Sequence, residues 1–82
     1  MEDVAALMDR YPRLTRRPGV LLAILMRGRG RVQTYARLQS EYDMVIGGRS
    51  SPESIRATVR CIRRQTDLSV TTMRSFGYRL DA

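Results

Sequence analysis

The segment from residue 52 to residue 80 constrains the fold most, because a clear helix pattern runs directly into a hairpin pattern. Ser51-Pro52-Glu53 is typical of a helix start, and a glutamate in the first turn offsets the helix dipole. An apolar stripe then recurs at the spacing of about 100° per residue that an α-helix requires. This stripe is formed by Ile55, Val59, Ile62 and Thr66. We therefore predict a helix over residues 52–65 with one buried face.

A second face of this helix is rich in arginine. Four guanidiniums share an arc of roughly 100° beside the buried stripe. They belong to Arg56, Arg60, Arg63 and Arg64. Most charged helix faces are simply solvated, and that interpretation stays open. The concentration of arginine on one arc nevertheless favours a surface that binds a polyanion.

The hairpin pattern follows directly after the helix. Residues 68–74 and 78–80 are predicted to be its two strands, with the turn at Ser75-Phe76-Gly77. An arginine-bearing helix beside a small hairpin is a shape that fits double-stranded DNA. One element suits the major groove and the other a flanking groove or the backbone.

The charge of the chain indicates the same class of partner. The 82 residues carry a formal charge of +7, and all fifteen basic residues are arginine. Between residues 10 and 80 these fifteen arginines face four acidic residues, Glu41, Asp43, Glu53 and Asp67. Such a field attracts polyanions. Nucleic acid is the first candidate and an anionic membrane the second.

Two helices are predicted in the N-terminal part of the chain. Residues 3–11 place apolar side chains at i, i+3, i+4 and i+7, and Pro12 ends the pattern. This helix is expected either to pack on its own domain or to meet another chain. Residues 14–27, with Thr15 as N-cap, are apolar almost all round and are expected to be buried on more than one side.

A third helix is predicted over residues 35–43, with Thr34 as its N-cap. Val32 before it is expected to be extended, and residues 44–50 to form a loop. The whole chain then reads as one mostly α domain with a small β-hairpin. Its parts are an N-terminal helix in residues 1–13, a helical core in residues 14–66, and the hairpin in residues 68–80.

The run Arg27-Gly28-Arg29-Gly30-Arg31 has two interpretations. An extended arm of this composition lies well in an A·T-rich minor groove. An exposed turn between two helices explains the same residues, with glycine serving the backbone conformation and arginine serving solubility.

Several function classes lack the residues they need. The chain has no histidine and a single cysteine, so the usual acid–base group and an ordinary zinc site are both missing. The P-loop pattern, a glycine-rich phosphate-binding loop that carries a lysine, is absent. We expect no enzyme, no metal or cofactor and no small-molecule substrate. Cys61 is expected to be a partly covered structural thiol. No apolar run is long enough to span a bilayer, and the acidic first residues are unlike a signal peptide. We therefore expect a cytoplasmic protein, and the expected DNA binding would associate it with the nucleoid.

The order of helices, followed by Val70-x-Thr72-Met73-Arg74-x-x-Gly77-Tyr78-Arg79-Leu80, resembles the winged-helix DNA-binding domain of OmpR/PhoB-type response regulators. Residues 14–25, 31–38 and 55–64 are similar to the family's three helices. The sequence departs from the family at Ser75, where the family has glycine, and in its helical N-terminus, where the family has a small β-sheet. The resemblance implies a winged helix-turn-helix without a receiver domain, of bacterial or phage origin.

The resemblance also implies which residues bind DNA. Helix 52–65 would enter the major groove, and the hairpin would act as the wing. The implied contacts are Arg56, Arg60, Arg63, Arg64, Arg74, Thr72, and Thr34 and Ser51 at helix N-termini. The predicted function is sequence-specific transcription regulation, with a homodimer or tandem copies on DNA.

Two alternatives belong to other classes. The chain is also consistent with an adaptor that binds RNA polymerase or another regulator. Its contacts would be the N-terminal helix and the apolar loop residues Met44, Val45 and Ile46. Non-specific packaging of nucleic acid is the third hypothesis, and it predicts affinity without sequence preference.

Overall fold

Four helices and three short strands make up the part of the chain that the computed structural model describes, residues 4–81. Together they form a small mixed α/β domain. In chain order the elements are α1 Val4–Arg10, α2 Arg16–Arg27, β1 Val32–Thr34, α3 Tyr35–Ile46, α4 Pro52–Gln65, β2 Val70–Met73 and β3 Gly77–Leu80.

Helix α2 is the centre of the hydrophobic core. Its residues 18–25 are all buried, and α1, α3 and α4 all pack against it. The prediction that this helix is covered on more than one side is confirmed. Gly19 lets α1 come close, since a Cβ placed there would lie 3.2 Å from a methyl group of Val4. Helix α1 therefore packs on its own domain, and Leu7 is its buried residue.

The strands form one antiparallel sheet in the order β1-β3-β2. Gly77 stands opposite Thr34 on one side of β3 and opposite Met73 on the other. A Cβ at Gly77 would overlap the carbonyl oxygen of Gln33, so only glycine fits at this position of β3, where β1 pairs with it. The prediction of a lone hairpin was incomplete. Strand β1 has only three residues, and its pairing partner lies more than forty positions along the chain.

The end of α3 differs from the prediction. The helix was predicted to stop at Asp43, but it continues to Ile46 and ends at Gly47, whose φ of 84° is left-handed. Val45 and Ile46 pack against the core, which explains why the extra turn forms. The predicted loop at residues 44–50 was therefore too long, because its first three residues are helical.

The helix starts follow the predicted caps with one exception. The hydroxyl of Thr34 accepts from the backbone N–H of Arg37 at 3.2 Å, and that of Ser51 accepts from Ser54 at 3.1 Å. Thr15 stands at the N-cap position of α2 but its side chain makes no capping bond, and its backbone N–H donates to the side-chain oxygen of Gln65 at 3.2 Å. This bond ties the start of α2 to the end of α4. Helix α4 has its predicted bounds, α2 starts two residues later than predicted, and Asp3 lies outside the described residues.

The turn between β2 and β3 holds a non-glycine residue in a left-handed conformation. Ser75 has a φ of 70°, and the N–H of Phe76 donates to the carbonyl of Met73 at 2.9 Å. A positive φ at the third residue of such a turn is the requirement of a type II turn, which favours glycine there. The backbone thus keeps the glycine conformation at the residue where this sequence has serine.

Replacing Ser75 with glycine is expected to stabilise the domain by about 0.5–1 kcal/mol, because it removes the steric cost of a left-handed side-chain residue. Urea denaturation followed by circular dichroism measures the change. Ser75→Ala is the matched control, since the Cβ of alanine has the same steric cost at a positive φ. Equal stability of the glycine and alanine variants would contradict this account of the turn.

The end of β3 is fastened to β2 by a carboxylate. Asp81 accepts hydrogen bonds from the hydroxyls of Thr71 at 2.7 Å and Ser69 at 2.8 Å, and from Nε of Arg79 at 2.8 Å. The bond from Thr71, then those from Ser69 and Arg79, lower the pKa of Asp81 below its ordinary value. The charged form is thus the one that the fold favours.

A group with a lowered pKa stabilises the fold above its unfolded-state pKa, and this contribution is lost as the pH falls through its folded-state pKa. Asp81→Asn is therefore expected to destabilise the protein at pH 7 and to have a shrinking effect below about pH 4. Urea midpoints of both proteins between pH 7 and pH 3 test this. A difference in midpoint that does not change with pH would be the contrary result.

Candidate nucleic-acid interface

A cleft between α4, the start of α3 and the β2–β3 turn brings three of the four arginines of α4 together with the arginine of the turn. We call this surface the arginine cleft. Its volume is about 520 Å³. The residues that line it are Tyr35, Pro52, Arg56, Arg60, Arg63, Thr72, Arg74 and Tyr78.

The packing of α4 determines which way these side chains point. Ile55, Val59 and Ile62 are buried, and α4 packs against α2 and α3. With that stripe facing inward, the rotation of the helix is fixed. Arg56 and Arg60, one turn apart, then lie on the side of the sheet.

Arg63 links α4 to the hairpin across this cleft. Its Nε and one terminal nitrogen donate to the carbonyl of Val70 at 3.1 and 2.7 Å. The same nitrogen donates to the hydroxyl of Thr72 at 2.9 Å. The resemblance implied that Arg63, like Arg56 and Arg60, contacts DNA. The structure shows that much of its hydrogen-bonding capacity is used within the protein.

Two tyrosines line the cleft between the helices and the sheet. The rings of Tyr35 and Tyr78 meet edge to face, with centroids 5.4 Å apart and planes at 85°. Tyr78 is buried, whereas Tyr35 is partly exposed and its hydroxyl lies 3.5 Å from the carbonyl of Met73. Sequence reasoning missed Tyr35, because only the sheet register brings it beside Tyr78.

The remaining cleft arginines have no carboxylate partner. The ion pairs within residues 4–81 are Arg27–Glu41, Arg37–Glu41 and Arg79–Asp81. Arg56, Arg60 and Arg74 take part in none of them. Glu53 lies one turn before Arg56 in α4 and is exposed, and it too joins no ion pair in this part of the chain. The cleft is therefore a region of uncompensated positive charge, which suits an anionic ligand.

Three of the predicted contacts lie outside the cleft. Arg64 is exposed, and its guanidinium contacts the sulfur of Cys61 at 3.3 Å. Thr34 borders a separate groove together with Arg27, Arg31 and Arg37. Ser51 is exposed at the start of α4, where its hydroxyl is occupied by capping. Cys61 is half-buried and free, as predicted.

The arginine–glycine run folds back on the sheet. Residues 28–30 form a turn, in which the N–H of Gly30 donates to the carbonyl of Leu80 at 2.8 Å. Arg27 binds Glu41 at 2.7 Å, and Nε of Arg29 donates to the carbonyl of Asp81 at 3.3 Å. These bonds favour the interpretation as a structured turn over that as an extended arm.

No group of three or more histidine, cysteine or acidic side chains within residues 4–81 is placed to hold a metal ion. None of the helices in the same range has the length and apolar character needed to cross a bilayer.

Replacing Arg63 with methionine is expected to destabilise the domain by about 1 kcal/mol, since it removes the bonds to Val70 and Thr72 but keeps an apolar stem. Arg60→Met is the matched control on the same helix face, with an expected change within about 0.5 kcal/mol. Urea denaturation measures both. Equal losses in the two variants would contradict the linking role of Arg63.

Comparison with known proteins adds no family to this geometry. No protein-family model matches the chain, and a search of curated proteins finds none that is similar to it.

Proposed function

We propose that this protein binds double-stranded DNA as a winged-helix transcription regulator. One observation carries the proposal. Three arginines without ion-pair partners, Arg56, Arg60 and Arg74, converge on a cleft between an exposed helix face and a hairpin. Phosphate groups are the ligands that such a field attracts most strongly.

The order of elements supports the same proposal. After α1, the helices α2, α3 and α4 precede an antiparallel hairpin, and a short strand before α3 completes the sheet. Apart from the additional α1, this is the arrangement expected of a winged helix. In this proposal α4 enters the major groove and the β2–β3 hairpin lies against the adjacent minor groove. A major groove about 12 Å wide accepts one α-helix.

The cleft residues then have separate tasks. Arg56 and Arg60 contact base edges or inner phosphates, and an arginine that binds guanine through two hydrogen bonds is the commonest specific contact. Arg74 reaches the minor groove or its backbone. Arg63 acts as a positioning residue, because its bonds to Val70 hold the hairpin at a fixed distance from α4. Outside the cleft, Thr34 and Ser51 present the N-termini of α3 and α4 to phosphates.

The size of the domain suggests that it does not act singly. A module of this kind buries about 600–1,000 Å² on DNA, which gives modest specificity. Two copies on adjacent half-sites, arranged as direct repeats or as a palindrome, supply the rest. The proposal places the protein in the cytoplasm, bound to the nucleoid, and without catalytic activity.

The adaptor hypothesis receives less support from the structure. Of its three apolar contact residues, Val45 and Ile46 pack against the core, and Met44 is the one that stays exposed, at 81%. Helix α1 is likewise packed on α2. No specific observation favours this hypothesis over DNA binding.

A double charge reversal tests the proposal. The Arg56→Glu/Arg60→Glu variant is expected to lose at least about 100-fold in affinity for a duplex. The slope of log affinity against log salt concentration is expected to become shallower by about two. Fluorescence anisotropy at several salt concentrations, with a randomised duplex pool whose bound fraction is sequenced, measures affinity and preference together. The wild-type protein is expected to enrich a motif.

Arg16→Glu/Arg17→Glu is the matched control. It makes the same change in net charge, but these arginines lie beside Cys61 in a groove outside the arginine cleft. This variant is expected to keep the motif and most of the affinity. Equal losses in the two variants would show that binding follows net charge alone. No binding by the folded wild-type protein near 150 mM salt would contradict the proposal outright.

A further inference from the structure

The tip of the hairpin exposes a large aromatic side chain. Phe76 is the only phenylalanine of the chain, and 67% of it is open to solvent. It belongs neither to the hydrophobic core nor to the aromatic pair of the described residues. The exposure costs free energy that a polar residue in the same turn would avoid. The turn thus presents a largely exposed apolar side chain that lies outside the hydrophobic core of residues 4–81.

The backbone beneath this ring is held in place. The N–H of Phe76 donates to the carbonyl of Met73 at 2.9 Å, and its own carbonyl accepts from the N–H of Tyr35 at 3.0 Å. The next residue, Gly77, is locked between β1 and β2 by the sheet register. The ring therefore stands on a fixed support instead of a mobile loop. An anchor fixed in advance loses little entropy on binding.

The surroundings of the ring indicate the chemistry of its partner. Arg74 lies two residues away in the same turn and faces the arginine cleft, and the turn contains no acidic residue. Of the other exposed large apolar residues, Tyr35 adjoins the turn through its backbone N–H, and Val32 stands opposite Arg79, away from the turn. The mostly exposed ring of Phe76 therefore has a positively charged neighbour, Arg74, in its own turn. This combination matches a wedge with flanking contacts to phosphates.

We propose that Phe76 inserts as an apolar wedge between base pairs from the minor groove and bends the duplex. This inference rests on the proposed binding of DNA and adds a second source of specificity to it. Pyrimidine–purine steps unstack most easily, so the wedge favours a TA or CA/TG step under the hairpin. Arg74 holds the adjacent backbone while the ring enters.

The test uses the full chain and a set of duplexes of about 25 base pairs, labelled at both ends for energy transfer. The duplexes contain the motif enriched by the wild-type protein, or one mixed sequence if none is enriched. A TA step is moved through successive positions, and an AT step at the same positions serves as the reference. Anisotropy gives affinity, and energy transfer between the ends gives bending.

The wild-type protein is expected to bind best, and to bend most, when TA stands at one particular position. Phe76→Ala is expected to lose the bend, the step preference and about fivefold or more in affinity for that duplex. Phe76→Leu, which keeps an apolar wedge, is expected to retain most of each. Met44→Ala, at an exposed apolar site elsewhere, is the control and is expected to behave as wild type.

The wedge is overturned if Phe76→Ala, folded by circular dichroism, bends DNA and prefers TA as the wild type does. It is also overturned if this variant loses affinity equally for every duplex. In both cases the DNA-binding proposal survives, provided that Arg56→Glu/Arg60→Glu still abolishes binding. If the wild-type protein binds none of the duplexes, both proposals fail together.

Discussion

The packing of the α4 stripe against α2 is the interaction on which the rest of the structure depends. Ile55, Val59 and Ile62 are buried against a helix that is itself covered on several sides. Burial of three such side chains contributes several kcal/mol, on the order of 1.5–3 kcal/mol each. It also fixes the rotation of α4. Because the arginines share that helix, the same contact that stabilises the core aims positive charge at the cleft.

The sheet performs the complementary task of holding the hairpin beside α4. Strand β3 lies between β1 and β2, and Gly77 permits the close approach of β1. Arg63 then joins the end of α4 to β2 through the carbonyl of Val70. These bonds restrain the hairpin at a fixed distance from α4. In the proposed complex with DNA, a fixed spacing between α4 and the hairpin suits contact with two neighbouring grooves better than flexibility would.

Much of the helical part follows from local pattern. The start signal and apolar stripe of α4 lie within fifteen residues, and the helix has the predicted bounds. The end of α3 was wrong because contact with the core, absent from local pattern, extends the helix through Val45 and Ile46. In the site, the helical angle alone grouped Arg56, Arg60, Arg63 and Arg64, and the structure leaves Arg64 outside the cleft. Spacing along the helix could not show that Arg63 donates to a carbonyl of β2, or that the rings of Tyr35 and Tyr78 pack together.

The sequence by itself determined the excess of arginine over acidic residues, the amphipathic α4 and the apolar α2, because each depends on residue type at short spacing. The turn was predicted at residues 75–77, one residue later than its observed place at 74–76, and Gly77 begins β3. Only the tertiary structure decided that β1 joins the sheet, which arginines remain free, and that Phe76 stands exposed on a fixed tip. These features depend on contacts between residues far apart in the chain. Such contacts are selected by the packing of the whole domain and leave no periodic signal in the sequence.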